Sequence, residues 1–382
     1  MMNSISPDLW LLSREPGTGG TNTAVKIAME ILAQARMTYR YAYIKDFSSR
    51  AKRLNELNYR SLPLPVYLNN LLAGRKWKKR LNKPAAHGLV IGGTPAAGGI
   101  AYASGINYGM WIGTTVRDEF RIIKTGEEIK NRDFSRVLNK ILININNIAE
   151  AAVLKRARYI ICQSLFTKDC IKRDYNVEDD KIFYPPFPIQ IKRKYEKPYD
   201  DKAPIILGVG RVDDARKNYS FLLRAFKDLV EVRPSSRLRI AGNISVDSKI
   251  RQESVKLGIG SHVTFLGEIS SSDLQKEYEN ADIFALTPRQ EGLGIVFLEA
   301  MSYGLPVVTT KCGGSEGIIQ DGFNGYLIEQ NELEQFTESI EKIMESKSKY
   351  EAMSHQAYRY ILENHDPDKF SMAFLRIIRE RL

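Results

Sequence analysis

Two carboxylates, Glu291 and Glu299, flank a Gly-Leu-Gly turn and the start of an apolar helix in the stretch TPRQEGLGIVFLEAMSYGLPVV, residues 287–308. A carboxylate accepts hydrogen bonds from two vicinal hydroxyls, such as those of a ribose or a hexose. The alternative for Glu291 is compensation of the positive helix end, which contributes only about 0.3–1 kcal/mol. That alternative does not explain Glu299, because it follows three apolar residues in a helix expected to be mostly buried, where an acid needs a partner. The two acids therefore indicate a site for a ligand rich in hydroxyls.

Two cations, Arg211 and Lys217, follow a predicted strand at 205–210 and precede a predicted helix. A helix N-terminus attracts phosphate through its free N–H groups and its dipole. Two cations at that place would hold a diphosphate. The alternative is that both cations pair with Asp213 and Asp214 in a surface loop.

Glycines occupy the turns that follow two further predicted strands. Gly292 and Gly294 allow positive φ and the close approach of a ligand to the backbone. Gly313 and Gly314 are predicted to offer backbone amides at the start of another helix, with Glu316 in its first turn.

The first glycine turn, REPGTGG at 14–20, has neither the spacing of a dinucleotide fingerprint nor a P-loop lysine, so it does not predict NAD binding. The three cysteines form no metal-ligand pattern and cannot all pair, which favours a reduced, cytosolic protein.

The elements that must position these residues alternate between short strand-like runs and runs with helical period, a pattern typical of parallel α/β units. Strands are predicted at 9–13, 40–45, 88–93, 109–116 and 159–164, and again at 205–210, 238–242, 263–267, 283–288 and 306–310. The first helix is expected to have Thr21 or Thr23 as its N-cap.

A proline-rich and charged segment without periodicity, residues 183–204, predicts a domain boundary. We expect an N-terminal Rossmann-like domain at 1–190, a second one at 200–365, and a C-terminal helix at 366–382 that packs back on the first domain. Ligands of such sheets bind outside the carboxyl ends of the strands, so the expected site is the cleft between the two domains.

The net charge of +11 favours an anionic partner. It is concentrated in GRKWKKRLNK, residues 74–83, and the segment's central residues are Lys76, Trp77, Lys78, Lys79 and Arg80. A solvated helix face is one interpretation, and a patch for an anionic membrane surface or an acceptor is the sharper one. No nucleic-acid module, bilayer-length apolar run or signal-peptide pattern is present in the sequence.

These motifs together resemble those of the retaining glycosyltransferases of family four, which have the GT-B fold of two doubly wound Rossmann-like domains facing a central cleft. The resemblance covers most of the second domain and, more loosely, the whole chain. It rests on GVGRVDDARKN, VTFLGEIS, ADIFALTPRQEGLGIVFLEAMSYGLPVVTT and GGSEGIIQDGFNGYLI. Two glutamates with seven residues between them are the signature of that family.

The resemblance implies a role for each charged residue of the motifs. Arg211 and Lys217 match the cations that hold the diphosphate of the donor. Glu299 matches the acid that holds the donor ribose, and Glu291 matches the acid that faces the donor sugar.

The resemblance also implies roles for the residues of the glycine turns. The amides around Gly292, Leu293 and Gly294 would contact sugar and phosphate. Gly20 resembles the first-domain glycine that approaches the diphosphate.

One feature of the family is absent. Many members have a histidine near the sugar, after a middle strand of the first domain, but the matching region GMWIGTTVRDEF has none. Asp118 or Thr115 would occupy that space. The alternative is that Asp118 only caps a helix or pairs with Arg117 or Arg121.

The resemblance implies transfer of a hexose from a UDP- or GDP-linked donor to a glycan or lipid-linked acceptor, with retention and without a metal or other cofactor. Envelope polysaccharide or glycolipid synthesis, by a cytoplasmic protein that is peripheral on the inner face of the cell membrane, is the expected setting. A non-catalytic nucleotide-sugar sensor or partner subunit and a nucleotide-sugar 2-epimerase are the alternatives. Nucleic acid is not an expected partner.

Overall fold

The computed structural model describes residues 8–14, 20–44, 86–92, 97–123, 133–191 and 203–381. The chain divides into two compact units, of which the first is Met1–Pro186 with Asp368–Leu382 and the second is Phe187–Pro367. Each unit contains one six-stranded parallel sheet with helices between its strands. The predicted α/β class with two doubly wound sheets is therefore confirmed.

The first sheet has the strand order β2-β1-β3-β4-β5-β6. Its strands are β1 (Asp8–Arg14), β2 (Tyr39–Ile44), β3 (Ala86–Ile91), β4 (Asn107–Ile112), β5 (Ile160–Cys162) and β6 (Ile182–Phe183). The helices between them are α1 (Gly20–Gln34), α2 (Gly99–Ser104), α3 (Val116–Ile123), α4 (Asp133–Arg156) and α5 (Leu165–Tyr175). The order reverses between β1 and β3, which is where the crevice of such a sheet opens.

The first helix begins at Gly20, two residues earlier than an N-cap at Thr21 would allow. Because α1 starts at Gly20, Thr21 and Thr23 lie within its first turn, and the prediction that either is the N-cap is wrong. Thr21 has a packing role instead. It fills the space above Gly92, which has φ +62° and where a Cβ atom would come within 2.6 Å of the Thr21 methyl group.

The second sheet has the order β12-β11-β10-β7-β8-β9, which reverses between β7 and β10. Its strands are β7 (Ile205–Val209), β8 (Arg237–Ala241), β9 (Val263–Gly267), β10 (Ile283–Leu286), β11 (Val307–Thr310) and β12 (Gly325–Ile328). Its helices are α6 (Tyr219–Val232), α7 (Lys249–Lys256), α8 (Ser271–Asn280), α9 (Ile295–Ser302), α10 (Leu333–Ile343) and α11 (Lys347–Asn364).

The central strands β10 and β11 are buried along their whole length because helices cover both faces of the sheet. Every residue of β10 and of β11 is buried, as expected for parallel strands inside an α/β layer. The edge strand β12 is not among the strands predicted from the sequence. In the structure Gly325 begins β12, and a Cβ atom there would meet the Val307 carbonyl oxygen at 2.2 Å.

The last helix, α12 (Pro367–Arg381), belongs to the first unit. Two of its rings, those of Phe370 and Phe374, lie 5.3 and 5.4 Å from the ring of Trp111 on β4. All three side chains are almost completely buried. In the described part of the chain, no helix combines the length and the apolar character needed to span a bilayer.

Candidate functional site

An ion pair between Lys217 and Glu291 lies at the carboxyl end of the second sheet. Lys217 ends the short 3₁₀ turn that follows β7, and Glu291 lies in the loop that follows β10. These two strands are neighbours on either side of the point where the strand order reverses. The two side chains are only 15% and 16% exposed. The structure thus joins two of the predicted site residues at the place where doubly wound sheets bind their ligands.

Hydrogen bonds hold the two loops together next to the pair. The Arg289 amide donates to the Arg216 carbonyl oxygen at 2.8 Å, and the Thr287 hydroxyl donates to the Asn218 carbonyl oxygen at 3.1 Å. Asn218 has φ +53°, which turns the chain from the 3₁₀ turn into α6. The relative position of Lys217 and Glu291 is therefore fixed by backbone contacts as well as by their charges.

The loop after β11 supports the Glu291 loop from the other side. The Glu291 amide donates to the Cys312 carbonyl oxygen at 2.9 Å, and the Gly314 amide donates to the Glu291 carbonyl oxygen at 2.8 Å. A Cβ atom on Gly314 would lie 2.8 Å from backbone atoms of Gly292 and Leu293. Glycine is required here because two backbones touch.

The predicted helix after β11 is a single 3₁₀ turn, Ser315–Gly317, and the amides of Gly313 and Gly314 that precede it are already occupied. The Gly313 amide donates to the Glu316 carboxylate at 2.8 Å, as the Cys312 amide does at 3.1 Å. The expectation that Gly313 and Gly314 offer their amides to a ligand therefore differs from the structure. In the structure, these glycines help to hold the Glu291 loop in place.

The start of α9 has the features of an anion site. Its N-cap is Gly294, with φ +78° and no side chain to accept a hydrogen bond from the first turn. A Cβ atom at Gly294 would collide with the Phe297 ring at 2.3 Å. Gly292 and Leu293 precede this N-terminus, next to Glu291. N-terminal amides and the helix dipole favour a phosphate at such a place.

Glu299, one turn into α9, has the partner that its surroundings require. The Tyr278 hydroxyl of α8 donates to the Glu299 carboxylate at 3.1 Å. The Tyr278 ring stacks on the Tyr303 ring at 5.2 Å and is 3% exposed. Burial raises the pKa of Glu299, and the Tyr278 hydrogen bond opposes part of that rise. Tyr278 is not among the predicted site residues, because its only sequence signal is a tyrosine between polar residues of a helical run.

Arg211 does not join the Lys217–Glu291 pair. Its guanidinium is 56% exposed and forms an ion pair of 2.7 Å with Asp214, which also binds Arg216. Burial would raise the pKa of Asp214, but Arg216 and then Arg211 hold it below its usual value. For Arg211, the loop ion pair considered as an alternative is the one observed. Asp213 instead accepts hydrogen bonds from Ser245 and Ser248.

Asp118 lies in the first turn of α3 in the first unit and is 5% exposed. Its amide donates to the Thr115 hydroxyl oxygen at 3.2 Å, so Thr115 caps this helix. The buried carboxylate of Glu150, which is not among the predicted site residues, accepts hydrogen bonds from the Val116 amide at 3.0 Å and from the Tyr175 hydroxyl. Gly20, also in the first unit, is the exposed first residue of α1.

The predicted basic patch, residues 76–80, lies outside the described residues. Within the described ranges, no three His, Cys, Asp or Glu side chains are grouped closely enough to hold a metal ion.

The chain is similar to known proteins in sequence and in fold. Residues 190–360 match the family model "Glycosyl transferases group 1". A GDP-mannose-dependent alpha-(1-6)-phosphatidylinositol monomannoside mannosyltransferase of Mycolicibacterium smegmatis is 28% identical over 168 residues, which are 42% of this chain and 44% of that protein. The chain spans about half the length of the curated relatives it matches.

Two solved structures are similar over nearly the whole chain. A sucrose-phosphate synthase from Thermosynechococcus elongatus has a TM-score of 0.78 and 16% identity, covering 98% of each chain. HepE of Anabaena, solved with UDP-glucose, has a TM-score of 0.71 and 14% identity, covering 98% of this chain and all of that one. These likenesses show the GT-B fold. Over residues 190–360, the chain is similar in sequence to the glycosyl transferases group 1 family.

Proposed function

We propose that the protein is a retaining glycosyltransferase that transfers a hexose from a UDP- or GDP-linked donor to a glycan or a lipid-linked acceptor. The observation that carries the proposal is the Lys217–Glu291 pair at the reversal point of the second sheet, beside the uncapped start of α9. A cation and a helix N-terminus suit a diphosphate, and the neighbouring carboxylates suit hydroxyls.

Lys217 and the first amides of α9 would stabilise the charge that develops on the leaving diphosphate as the glycosyl–phosphate bond breaks. One preorganised donor of this kind contributes roughly 3–4 kcal/mol to transition-state stabilisation. Arg211 would add a second cation by leaving Asp214, a change that its exposure permits. The proposal involves no metal ion, because these side chains supply the positive charge.

The two acids would hold the two sugars of the donor. Glu299 would accept hydrogen bonds from the ribose hydroxyls through the carboxylate edge that Tyr278 leaves open. Glu291 would face the transferred hexose once the diphosphate attracts Lys217. The family-four motifs support retention, with the acceptor attacking on the face that the diphosphate leaves and with an oxocarbenium-like transition state.

A lipid-linked acceptor is supported by two observations. The mycobacterial relative is described as acting on a phosphatidylinositol monomannoside, and the basic segment around Trp77 suits an anionic membrane surface. Peripheral association with the inner face of the cell membrane follows from this. Flotation with anionic and neutral liposomes, for the unmutated protein and for a charge reversal of Lys76, Lys78, Lys79 and Arg80, tests it. Equal flotation in all four combinations would remove the membrane part of the proposal.

The function itself is tested with a panel of UDP- and GDP-hexoses, in which hydrolysis and transfer to a glycan or lipid extract are followed by product mass. The anomeric configuration of the product is then read by NMR. The expected result is turnover of one donor, abolished in Lys217→Ala and Glu291→Ala, with an unchanged anomeric configuration. Donor binding without turnover would instead indicate a nucleotide-sugar sensor. A product with inverted anomeric configuration would contradict the retaining mechanism.

A further inference from the structure

Tyr219, the first residue of α6, has a buried hydroxyl without a hydrogen-bond partner among the described residues. The side chain is 1% exposed. An unpaired buried hydroxyl destabilises the folded protein, and phenylalanine would have the same ring without that cost. Such a group is explained if it has a partner in another state of the site.

The hydroxyl lies next to the Lys217–Glu291 pair. A Cβ atom built on Gly210 would be 3.3 Å from the Tyr219 hydroxyl oxygen and 3.6 Å from Cδ and Cε of Lys217. The absent side chain of Gly210 therefore leaves a space that the lysine stem and the hydroxyl share. Burial raises the pKa of Tyr219, and the negative charge of Glu291 raises it further.

We propose that Tyr219 is a positioning residue that takes over Glu291 when a diphosphate draws Lys217 away. In the unliganded site the carboxylate is satisfied by the lysine. A bound diphosphate competes for the same ammonium group and leaves a largely buried carboxylate in need of a donor. The Tyr219 O–H then donates to Glu291 and holds it towards the sugar. This inference rests on the proposed function and adds to it the group that orients Glu291.

The Tyr219 hydroxyl is unpaired in the free protein and forms the new hydrogen bond only in the liganded state. Removing the hydroxyl should therefore stabilise the free protein and weaken the complex. Tyr219→Phe removes an unpaired hydroxyl from the free protein, so the unfolding temperature of the free protein should rise. The same change removes a hydrogen bond to a charged group from the complex, so UDP or GDP should bind roughly tenfold more weakly, equivalent to ~1.4 kcal/mol. A residue with a merely structural role would not separate the two readouts.

The chain contains a matched control in Tyr159. Its hydroxyl is also buried and unpartnered among the described residues, but it lies in the first unit, against Gly109. Tyr159→Phe should raise the unfolding temperature in the same way and leave nucleotide binding unchanged.

The experiment is calorimetric titration of UDP and of GDP into the full-length protein, Tyr219→Phe, Tyr159→Phe, Glu291→Ala and the double variant Tyr219→Phe/Glu291→Ala, with a thermal melt of each. We expect Tyr219→Phe to bind the nucleotide more weakly and Tyr159→Phe to bind it as the unmutated protein does. No further loss should occur when the tyrosine change is added to Glu291→Ala.

Three outcomes overturn the inference. Unchanged nucleotide binding by Tyr219→Phe, or a fall in its unfolding temperature, removes the role of Tyr219 and leaves the proposed function intact. An undiminished effect of the tyrosine change in the Glu291→Ala background shows that Glu291 is not its partner. Failure of the unmutated protein to bind either nucleotide ends the proposed function and this inference together.

Discussion

Lys217 and Glu291 are 74 residues apart in the chain and form an ion pair at the reversal point of the second sheet. Both side chains are largely buried. They are joined because β7 and β10 are neighbours in the sheet although two strands separate them in the sequence. The pair brings a cation and an acid of two different motifs into one site.

The pair should be energetically coupled in the free protein. Lys217→Ala leaves Glu291 a largely buried carboxylate without its partner, and we expect it to lower the free energy of unfolding by about 1–3 kcal/mol. Lys217→Ala/Glu291→Ala should lose less than the sum of the single changes, with a coupling energy of about 1–2 kcal/mol. Denaturant unfolding of the four proteins measures this energy.

The exposed pair Lys227–Glu231, one turn apart on α6, is the matched control for that cycle. Its coupling should be much smaller, because solvent screens it. Additive effects at positions 217 and 291 would contradict the ion pair.

Much of the second unit could be predicted because its signals are local. The start of α9 at Ile295 follows from a glycine turn and an apolar run. The Lys217–Glu291 pair could not be predicted as such, because it depends on which strands are neighbours. Competing contacts within a loop are equally hard to predict from the sequence. Arg211 forms an ion pair with Asp214, which the sequence left open as an alternative to diphosphate binding, and Glu316 accepts hydrogen bonds from the Cys312 and Gly313 amides. Spacing along the chain does not reveal such competition.

Donor binding should depend on pH through Glu299. Its pKa is raised above the usual value, mainly by burial, and the proposed ribose contact needs the ionised form. Donor affinity should therefore be full above this pKa and fall as the pH decreases through it. Tyr278→Phe removes the hydrogen bond that lowers this pKa, so the fall should begin at a higher pH.

The measurement is the dissociation constant of UDP or GDP as a function of pH for the unmutated protein and Tyr278→Phe. Tyr303→Phe keeps the stacked ring and does not alter the Tyr278 hydrogen bond, and it should leave the profile in place. Identical profiles in all three proteins would rule out Tyr278 as the partner that tunes Glu299.

Gly314→Ala should displace the loop that contains Glu291. The added methyl group would meet backbone atoms of Gly292 and Leu293 at 2.8 Å, and a backbone cannot rotate away as a side chain can. We expect a loss of about 1–3 kcal/mol of stability and impaired donor binding. Gly317→Ala, where a Cβ atom has no neighbour within 4 Å, is the control and should change stability by less than about 0.5 kcal/mol. Normal nucleotide binding by Gly314→Ala would contradict the close contact of the two loops.

Phe374→Ala should destabilise the first unit, although position 374 is near the end of the chain. The ring is completely buried and packs on Trp111, so its removal should cost about 3–5 kcal/mol. Met372 on the same helix is 66% exposed, and Met372→Ala should change stability by less than about 0.5 kcal/mol. Thermal melts of the two variants compare them, and equal melting temperatures would mean that α12 does not contribute to this core.

The most direct test of the account is calorimetric titration of UDP- and GDP-hexoses into the unmutated protein, Lys217→Ala and Lys217→Arg. We predict that at least one donor binds the unmutated protein, that Lys217→Ala loses most of this affinity, and that Lys217→Arg retains part of it through its charge. Equal affinity in the unmutated protein and Lys217→Ala, or no binding of any donor, would contradict the claim that the diphosphate binds between the ends of β7 and β10.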